Sequence, residues 1–353
     1  MRRLLSVLVL FALCLPAAVL AQRSPEWLFY YSDNEDGWRS LQQHIGQISV
    51  LAPGTYFVDA EGVVWGEVDP RVIRLAKERG VPVMPLLVNP GFNQEMLHRL
   101  LSDEAARRRT IASLLELCRR NGYWGIQFDF ENVALTDRDA LTRFYRETAD
   151  ALHRAGYKLS IAVVHRPDEL PGPTQYHKWL FRNWRAGYDL KALGEIGDFV
   201  SVMSYSQHTR RTPPGPQASL PWTEAVVQYF LQHVPASKLS MGVPTGSQHW
   251  YTSQEERIQP ELARSYSQQL SHARALGMLE RYGARLQWSE EHAVPFAFFE
   301  RGGTWEWIFL EDARSFQAKL GLVDKHRLRG ISVWVLGPED PRIWEVLRQR
   351  GGR

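Results

Sequence analysis

Two carboxylates set two residues apart, Asp129 and Glu131, are the groups in this sequence best placed for acid–base chemistry. They lie in Gly125–Asn132, Gly-Ile-Gln-Phe-Asp-Phe-Glu-Asn, where apolar and polar residues alternate. Period two is the signature of a β-strand, whose successive side chains leave opposite faces. Ile126, Phe128 and Phe130 share one face; Gln127, Asp129 and Glu131 share the other. At a rise of about 3.3 Å per residue, positions two apart on one face are separated by roughly 7 Å. Carboxyls that close push each other to different pKa values, so one can be held protonated as an acid.

A surface strand with its polar face in water is the plainer reading. The flanks argue against it, because residues 103–121 and 137–155 both carry amphipathic helical patterns. A strand between two helices belongs to a parallel sheet covered on both faces. Acids at the C-terminal end of such a strand mark a site.

The rest of the chain repeats the alternation of strands and helices. Strands are expected at Trp27–Tyr31, Ile48–Leu51, Val81–Val88, Lys158–Val164, Phe199–Tyr205 and Leu239–Val243, and a hairpin at Thr55–Val58 and Val63–Trp65. Helices are expected at Trp38–Gly46, from Asp69-Pro70 to about Gly80, at Trp222–His233 and at Leu262–Gly277, with a short one at Ala192–Gly194 and a Pro-rich excursion over Arg166–Gly187. About eight strands in βα succession predict an α/β fold, a (β/α)8 TIM barrel. Gln287-Trp288, Ala297–Glu300 and Thr304–Phe309, turned by Gly302-Gly303, predict a small antiparallel β insertion at about 285–309, before the last barrel strand. Residues 22–353 then form one domain.

Met1–Ala21 has Arg2-Arg3, an apolar run from Leu4 to Leu20 and a small residue at its end. This is the pattern of a signal peptide cleaved after Ala21, and the run is at the short limit for a membrane span. An exported chain, periplasmic or secreted from a bacterium, is expected, with no membrane span in its mature form. Losing Arg2 and Arg3 lowers the formal charge from +3 to +1, which gives no strong attraction to nucleic acid. Without Cys14 only Cys118 remains, so no internal disulfide can form and a large core must hold the fold.

The acidic run resembles the Asp-Gly-x-Asp-x-Asp-x-Glu signature of glycoside hydrolase family 18, the chitinase-like barrels. Glu131 aligns with the family's catalytic acid and Asp129 with the acid two residues before it. Trp124 and Gln127 stand where the family has its first and second aspartates. The variant most similar to this is the bacterial branch with spore-cortex peptidoglycan hydrolases. Val202-Met203-Ser204-Tyr205 resembles the family's Met-x-Tyr-Asp element, with Ser206 in place of Asp. Gly330–Gly337 resembles the last barrel strand, where Trp334 takes the place of the Trp under the sugar site. The resemblance runs from about Trp27 to Trp344.

The resemblance implies substrate-assisted, retaining hydrolysis of β-1,4 bonds in a glycan containing N-acetylglucosamine, peptidoglycan first and chitin second. Glu131 would be the acid/base, and Asp129 and Tyr205 would hold the acetamido group. Gln127, Trp334, Met203, Tyr30 and Ser206 are the candidate substrate-binding residues. Gln127 cannot share a proton with Asp129, but its amide can donate a hydrogen bond to it. The rival is a non-catalytic, lectin-like glycan-binding barrel, for which Gln127 and Ser206 would be the marks.

Trp250 and Trp305 are further candidates for stacking on sugar faces, with core packing the alternative for each. His208 could line the site or simply be solvated. The histidines lack metal-ligand spacing, so no metal or cofactor is expected. The expected partner is a polysaccharide or oligosaccharide, not nucleic acid, and a monomer is expected.

Overall fold

In this computed structural model residues 24–209, 212–252 and 265–351 are described. The proposed signal segment lies outside them. Among the described residues no helix is long and apolar enough to cross a membrane.

Parallel strands form the barrel: β1 (Glu26–Tyr31), β2 (Val50–Pro53), β3 (Leu86–Val88), β4 (Gly125–Asp129), β5 (Lys158–Val164), β6 (Phe199–Met203), β7 (Leu239–Pro244) and β8 (Gly330–Trp334). Each of β3 to β7 pairs with the next, β8 pairs with both β7 and β1, and β1 pairs with β2. The ring closes between β2 and the residues before β3. There the Leu51 N–H donates to Pro82 O at 3.0 Å and the Met84 N–H to Leu51 O at 2.8 Å. After Gly54 the second strand resumes as Tyr56–Val58, which pairs parallel with β3 and antiparallel with Val64–Trp65. The strand expected over Val81–Val88 is regular only from Leu86, because Pro82 and Pro85 have no N–H for the ladder.

Alternation along each strand divides the core in two. Leu28 and Tyr30 of β1 point inward with Val50, Ala52, Met84, Leu86 and Phe199. Trp27, Phe29 and Tyr31 point outward to the helices. In β4 the outward Phe128 packs at 5.3 Å on Phe144, and Phe130 at 6.3 Å on the same ring, both held by the helix Arg138–Arg154. That leaves the inward face of β4 to Gln127 and Asp129. The preceding helix, Glu104–Asn121, is capped by Asp103, which accepts the Ala105 N–H at 2.8 Å, and it stops at left-handed Gly122.

Between β7 and β8 the chain builds a five-stranded antiparallel sheet, in the order 265–270, 247–252, 304–309, 294–301, 287–289. The insertion sits where expected but begins about 40 residues earlier. The helix expected at Leu262–Gly277 is formed only from His272 onward. Ser265–Leu270 is a strand paired residue for residue with Ser247–Thr252, and the helix, His272–Arg281, starts after Ser271, whose hydroxyl accepts the Arg274 N–H. Residues 262–264 lie outside the described part. Ser and Gln are near-neutral helix formers, so edge pairing decided their conformation.

Gly125, at the start of β4, has no room for a side chain: a Cβ there would lie 2.1 Å from Lys158 O. Gly125→Ala is expected to destabilise the barrel by about 1–3 kcal/mol. A urea melt with the wild-type midpoint would contradict this packing of β4 on β5.

Candidate active site

β4 ends at Asp129, and Glu131 follows at the rim of a cavity of about 670 Å³ over the C-terminal ends of the strands. Both acids line the cavity, the position expected for chemistry on a barrel. Asp129 is almost fully buried, and its Oδ1 is buried without a hydrogen-bond partner. Among the described residues no cation pairs with either carboxylate. Burial therefore pushes the Asp129 carboxyl well above its usual range. Burial first, and then the Asp129 charge, push up that of Glu131. Both shifts run upward, which favours a proton on the pair at a pH where two ordinary carboxyls would carry none.

The main chain around Glu131 is pinned from both sides. Its N–H donates to Asn89 Oδ1 at 3.0 Å, and Asn89 Nδ2 donates back to Glu131 O at 2.9 Å. The Tyr188 hydroxyl donates to Phe130 O at 2.7 Å. Asn132 then turns the chain in the left-handed region, with φ 55°. Its side-chain amide donates to Phe92 O at 3.0 Å, and Gln94 Nε2 donates to Asn132 O at 2.9 Å. Asparagine tolerates this conformation better than most residues.

Tyr205 and Ser206 follow the end of β6 and line the cavity with Met203, Tyr30 and Trp334. The Trp334 ring lies 5.4 Å from Tyr30 and 6.4 Å from Tyr205, between centroids. The Trp334–Val335 peptide bond is cis. Tyr205 keeps its place because Gly242 has no side chain. A Cβ there would meet Val202 O at 2.5 Å and Tyr205 Cε1 at 2.9 Å.

Gln127 is placed differently from expectation. It is fully buried beneath the cavity and does not line it. It is therefore not in a position to touch sugar. Its Oε1 accepts the Tyr30 hydroxyl at 2.8 Å, and its Nε2 donates to Ser160 at 2.8 Å and Ser201 at 3.2 Å. The amide thus serves the barrel interior rather than Asp129. A serine chain continues the layer, from Ser201 to Ser332 at 2.8 Å and from Ser332 to Ser240 at 2.7 Å.

Trp250 is core: it is fully buried, and its Nε1 donates to Gly215 O at 2.8 Å. Trp305 stands exposed on the insertion sheet, away from the cavity. His208 bonds Pro213 O through Nδ1 and does not line the cavity. Among the described residues no cluster of His, Cys, Asp and Glu could hold a metal.

Two parts of the site have no counterpart among the sequence candidates. Asn89 appears in the sequence only as part of an Asn-Pro-Gly stop after a strand. The segment taken as a Pro-rich excursion contains the helix Gln175–Leu180 and a π-helical turn Phe181–Arg185. Tyr176, Trp179, Trp184 and Arg185 from this segment form one wall of the cavity. The legible signal was the clustering of aromatics between Tyr176 and Trp184.

The sequence pattern of the glycosyl hydrolases family 18 matches residues 65–339. The chain belongs to glycoside hydrolase family 18. It is a glycosidase, and family 18 enzymes act on glycans that contain N-acetylglucosamine. The cortical fragment-lytic enzyme of Bacillus subtilis is 32% identical over 262 residues, covering 74% of this chain and 57% of that protein. This chain thus spans little more than half of that relative. A chitinase from Chromobacterium violaceum superposes with a TM-score of 0.82 at 25% identity, covering 94% of this chain and all of that one. The Bacillus megaterium spore cortex-lytic enzyme SleL superposes with a TM-score of 0.81 at 23% identity, over 93% of this chain and 74% of that one; this likeness is one of fold.

Within this family 18 site, Asn89 is a positioning residue for Glu131. Asn89→Ala is expected to lower kcat by about 10²-fold, the scale of a 1 Å misplacement, with little change in KM. An unchanged kcat on an N-acetylglucosamine oligomer would show that the Glu131 backbone holds without it.

Proposed function

We propose that this family 18 glycosidase cleaves β-1,4 bonds next to N-acetylglucosamine by substrate-assisted, retaining hydrolysis, with bacterial peptidoglycan glycan as its substrate and chitin oligomers as the second reading. The observation that carries the reading is the pair of buried carboxyls, Asp129 and Glu131, in the wall of one cavity with Tyr205 and Trp334. A carboxylate largely withdrawn from water and without a counterion is costly, and an acetamido N–H reaching it from the cavity would offset part of that cost.

Glu131, kept protonated by burial, gives its proton to the glycosidic oxygen. The acetamido oxygen attacks the anomeric carbon as the leaving group departs, and Asp129 stabilises the charge that develops on the acetamido nitrogen. Tyr205 donates its hydroxyl to the same group. Glu131 then takes a proton from the incoming water, which opens the ring intermediate with net retention. Trp334 supplies an apolar face for the pyranose. Preference for peptidoglycan is supported by the likeness to the cortical fragment-lytic enzyme. Export is part of the proposal and is supported by the pattern of Met1–Ala21. The mass of the mature protein from a bacterial host should correspond to cleavage after Ala21, and a full-length mass would remove export by this route.

Product analysis on N-acetylchitooligosaccharides and purified sacculi tests the chemistry. Glu131→Gln is expected to abolish new reducing ends while glycan binding persists, and Asp129→Asn to lower the rate by several orders of magnitude. Wild-type turnover in either variant would contradict the assignment. The pH profile carries a sign. Activity requires protonated Glu131, so it falls as pH rises through a pKa held above the ordinary carboxyl range. Because the Asp129 charge helps to raise that pKa, the alkaline limb of the residual Asp129→Asn activity should move to lower pH. A limb that stays put or moves up would show that the two acids do not interact.

A further inference from the structure

The cavity wall built by the Tyr176–Arg185 segment holds a cation that the hydrolytic scheme does not use. Arg185 closes the π-helical turn Phe181–Arg185 and lines the cavity. π-helical turns project side chains that a regular helix would turn away, and they recur at functional sites. Its guanidinium is largely withdrawn from water, and desolvation holds its pKa below the usual arginine value.

Arginine in such a place normally faces a carboxylate or phosphate. Among the described residues no carboxylate lies within ion-pair distance of Arg185. The charges that act on it from farther away are those of Tyr176 and Asp168. Asp168 Oδ1 is taken by the Leu170 N–H at 2.8 Å. Among the described residues the acceptor the guanidinium meets is His165 Nε2, 3.3 Å from Nη2. Nε is buried without a partner.

His165 makes a neutral prop, not a counterion. Burial, together with the Arg185 charge, lowers its pKa to about 3. Its Nδ1 lies 3.1 Å from Met203 O. An acceptor carbonyl on that side requires the proton on Nδ1, which leaves Nε2 free to accept from Arg185. The imidazole therefore orients the guanidinium without neutralising it. Nor does Arg185 pair with Asp129 or Glu131: its guanidinium contact among the described residues is to His165. The result is a positioned cation in the wall of a glycan cavity, with no carboxylate among the described residues in ion-pair contact with it.

We propose that Arg185 is a carboxylate-binding subsite that selects a glycan whose hexosamine next to N-acetylglucosamine carries a free 3-O-lactyl carboxylate, as in peptidoglycan stripped of its peptides. The inference rests on the reading of the cavity as a glycan site, and it narrows the substrate to an acidic strand. The planar guanidinium fork matches a carboxylate with two parallel hydrogen bonds. A neutral chitin oligomer leaves that fork unanswered.

The test separates binding from turnover by using the Glu131→Gln protein. Its affinity is measured calorimetrically for peptide-free peptidoglycan oligomers and for the same oligomers with each lactyl carboxyl converted to a methylamide. The carboxylate form is expected to bind at least about tenfold more tightly, the scale of one charge-assisted contact. That ratio should collapse to about one when Arg185→Gln is added, and Arg185→Lys should recover part of it. A parent that does not discriminate, a ratio that survives Arg185→Gln, or an equal loss for both ligands would overturn the subsite. Should Arg185→Gln fail to fold, Arg185→Lys alone decides. It keeps the charge but loses the planar fork, so a ratio as large as the parent's would overturn the fork as its source. Wild-type protein that makes no new reducing ends would sink the hydrolase proposal alone, because the affinity ratio does not depend on turnover.

Discussion

Everything in this barrel turns on keeping a carboxylate dry without giving it a counterion. Asp129 sits at the inner face of β4, and no lysine or arginine among the described residues answers it. A lone buried charge is expensive, and burial accordingly raises the pKa of Asp129 and of its neighbour Glu131, favouring their protonated forms. Where Asp129 lines the cavity, it can accept a hydrogen bond from a donor brought in from outside. The same lack of compensation recurs with opposite sign at Arg185, on another wall of the same cavity. A carboxylate without a counterion and a guanidinium held by a neutral imidazole give the cavity walls of different charge.

The layers beneath hold this arrangement in place. Most barrel interiors of this class are filled by branched apolar side chains. Here the level under Asp129 is a hydrogen-bonded polar layer of Tyr30, Gln127 and serines from β5, β6, β7 and β8. Gln127 fixes the Tyr30 hydroxyl, and the Tyr30 ring supports Trp334 at the cavity floor. Because these bonds are mutually satisfied, the layer costs little and allows few alternative arrangements. Left-handed Asn132 and Ser206, each one residue after a site residue, mark where the backbone leaves its strand to present Glu131 and Tyr205.

Much of this was legible in the sequence, for a physical reason. The alternation in Gly125–Asn132 is local, so it separated Phe128 and Phe130 from Asp129 without knowledge of the fold. Strand and helix limits such as Lys158–Val164 follow from equally local patterns. What was hidden depended on partners distant in sequence. Gln127 was read as a neighbour of Asp129, but its amide is claimed by serines from two other strands. Asn89 acts on Glu131 across 42 residues. Ser265–Leu270 became a strand because an edge was waiting for it, and Trp250 became core because Gly215 O lies against its indole. The Tyr176–Arg185 wall was hidden because the prolines near it mark only an excursion from the barrel, not which side chains face the cavity.

The central claim is that the acetamido group of the substrate, held by Asp129, is the nucleophile. It is tested most directly by hydrolysis rates on aryl N-acylglucosaminides in which the acetyl methyl is replaced stepwise by mono-, di- and trifluoromethyl. Fluorine withdraws electrons from the attacking oxygen while changing the size of the group little. The account predicts kcat/KM falling steeply with each fluorine. A rate indifferent to fluorination would contradict it, since the nucleophile would then have to come from the protein or the solvent.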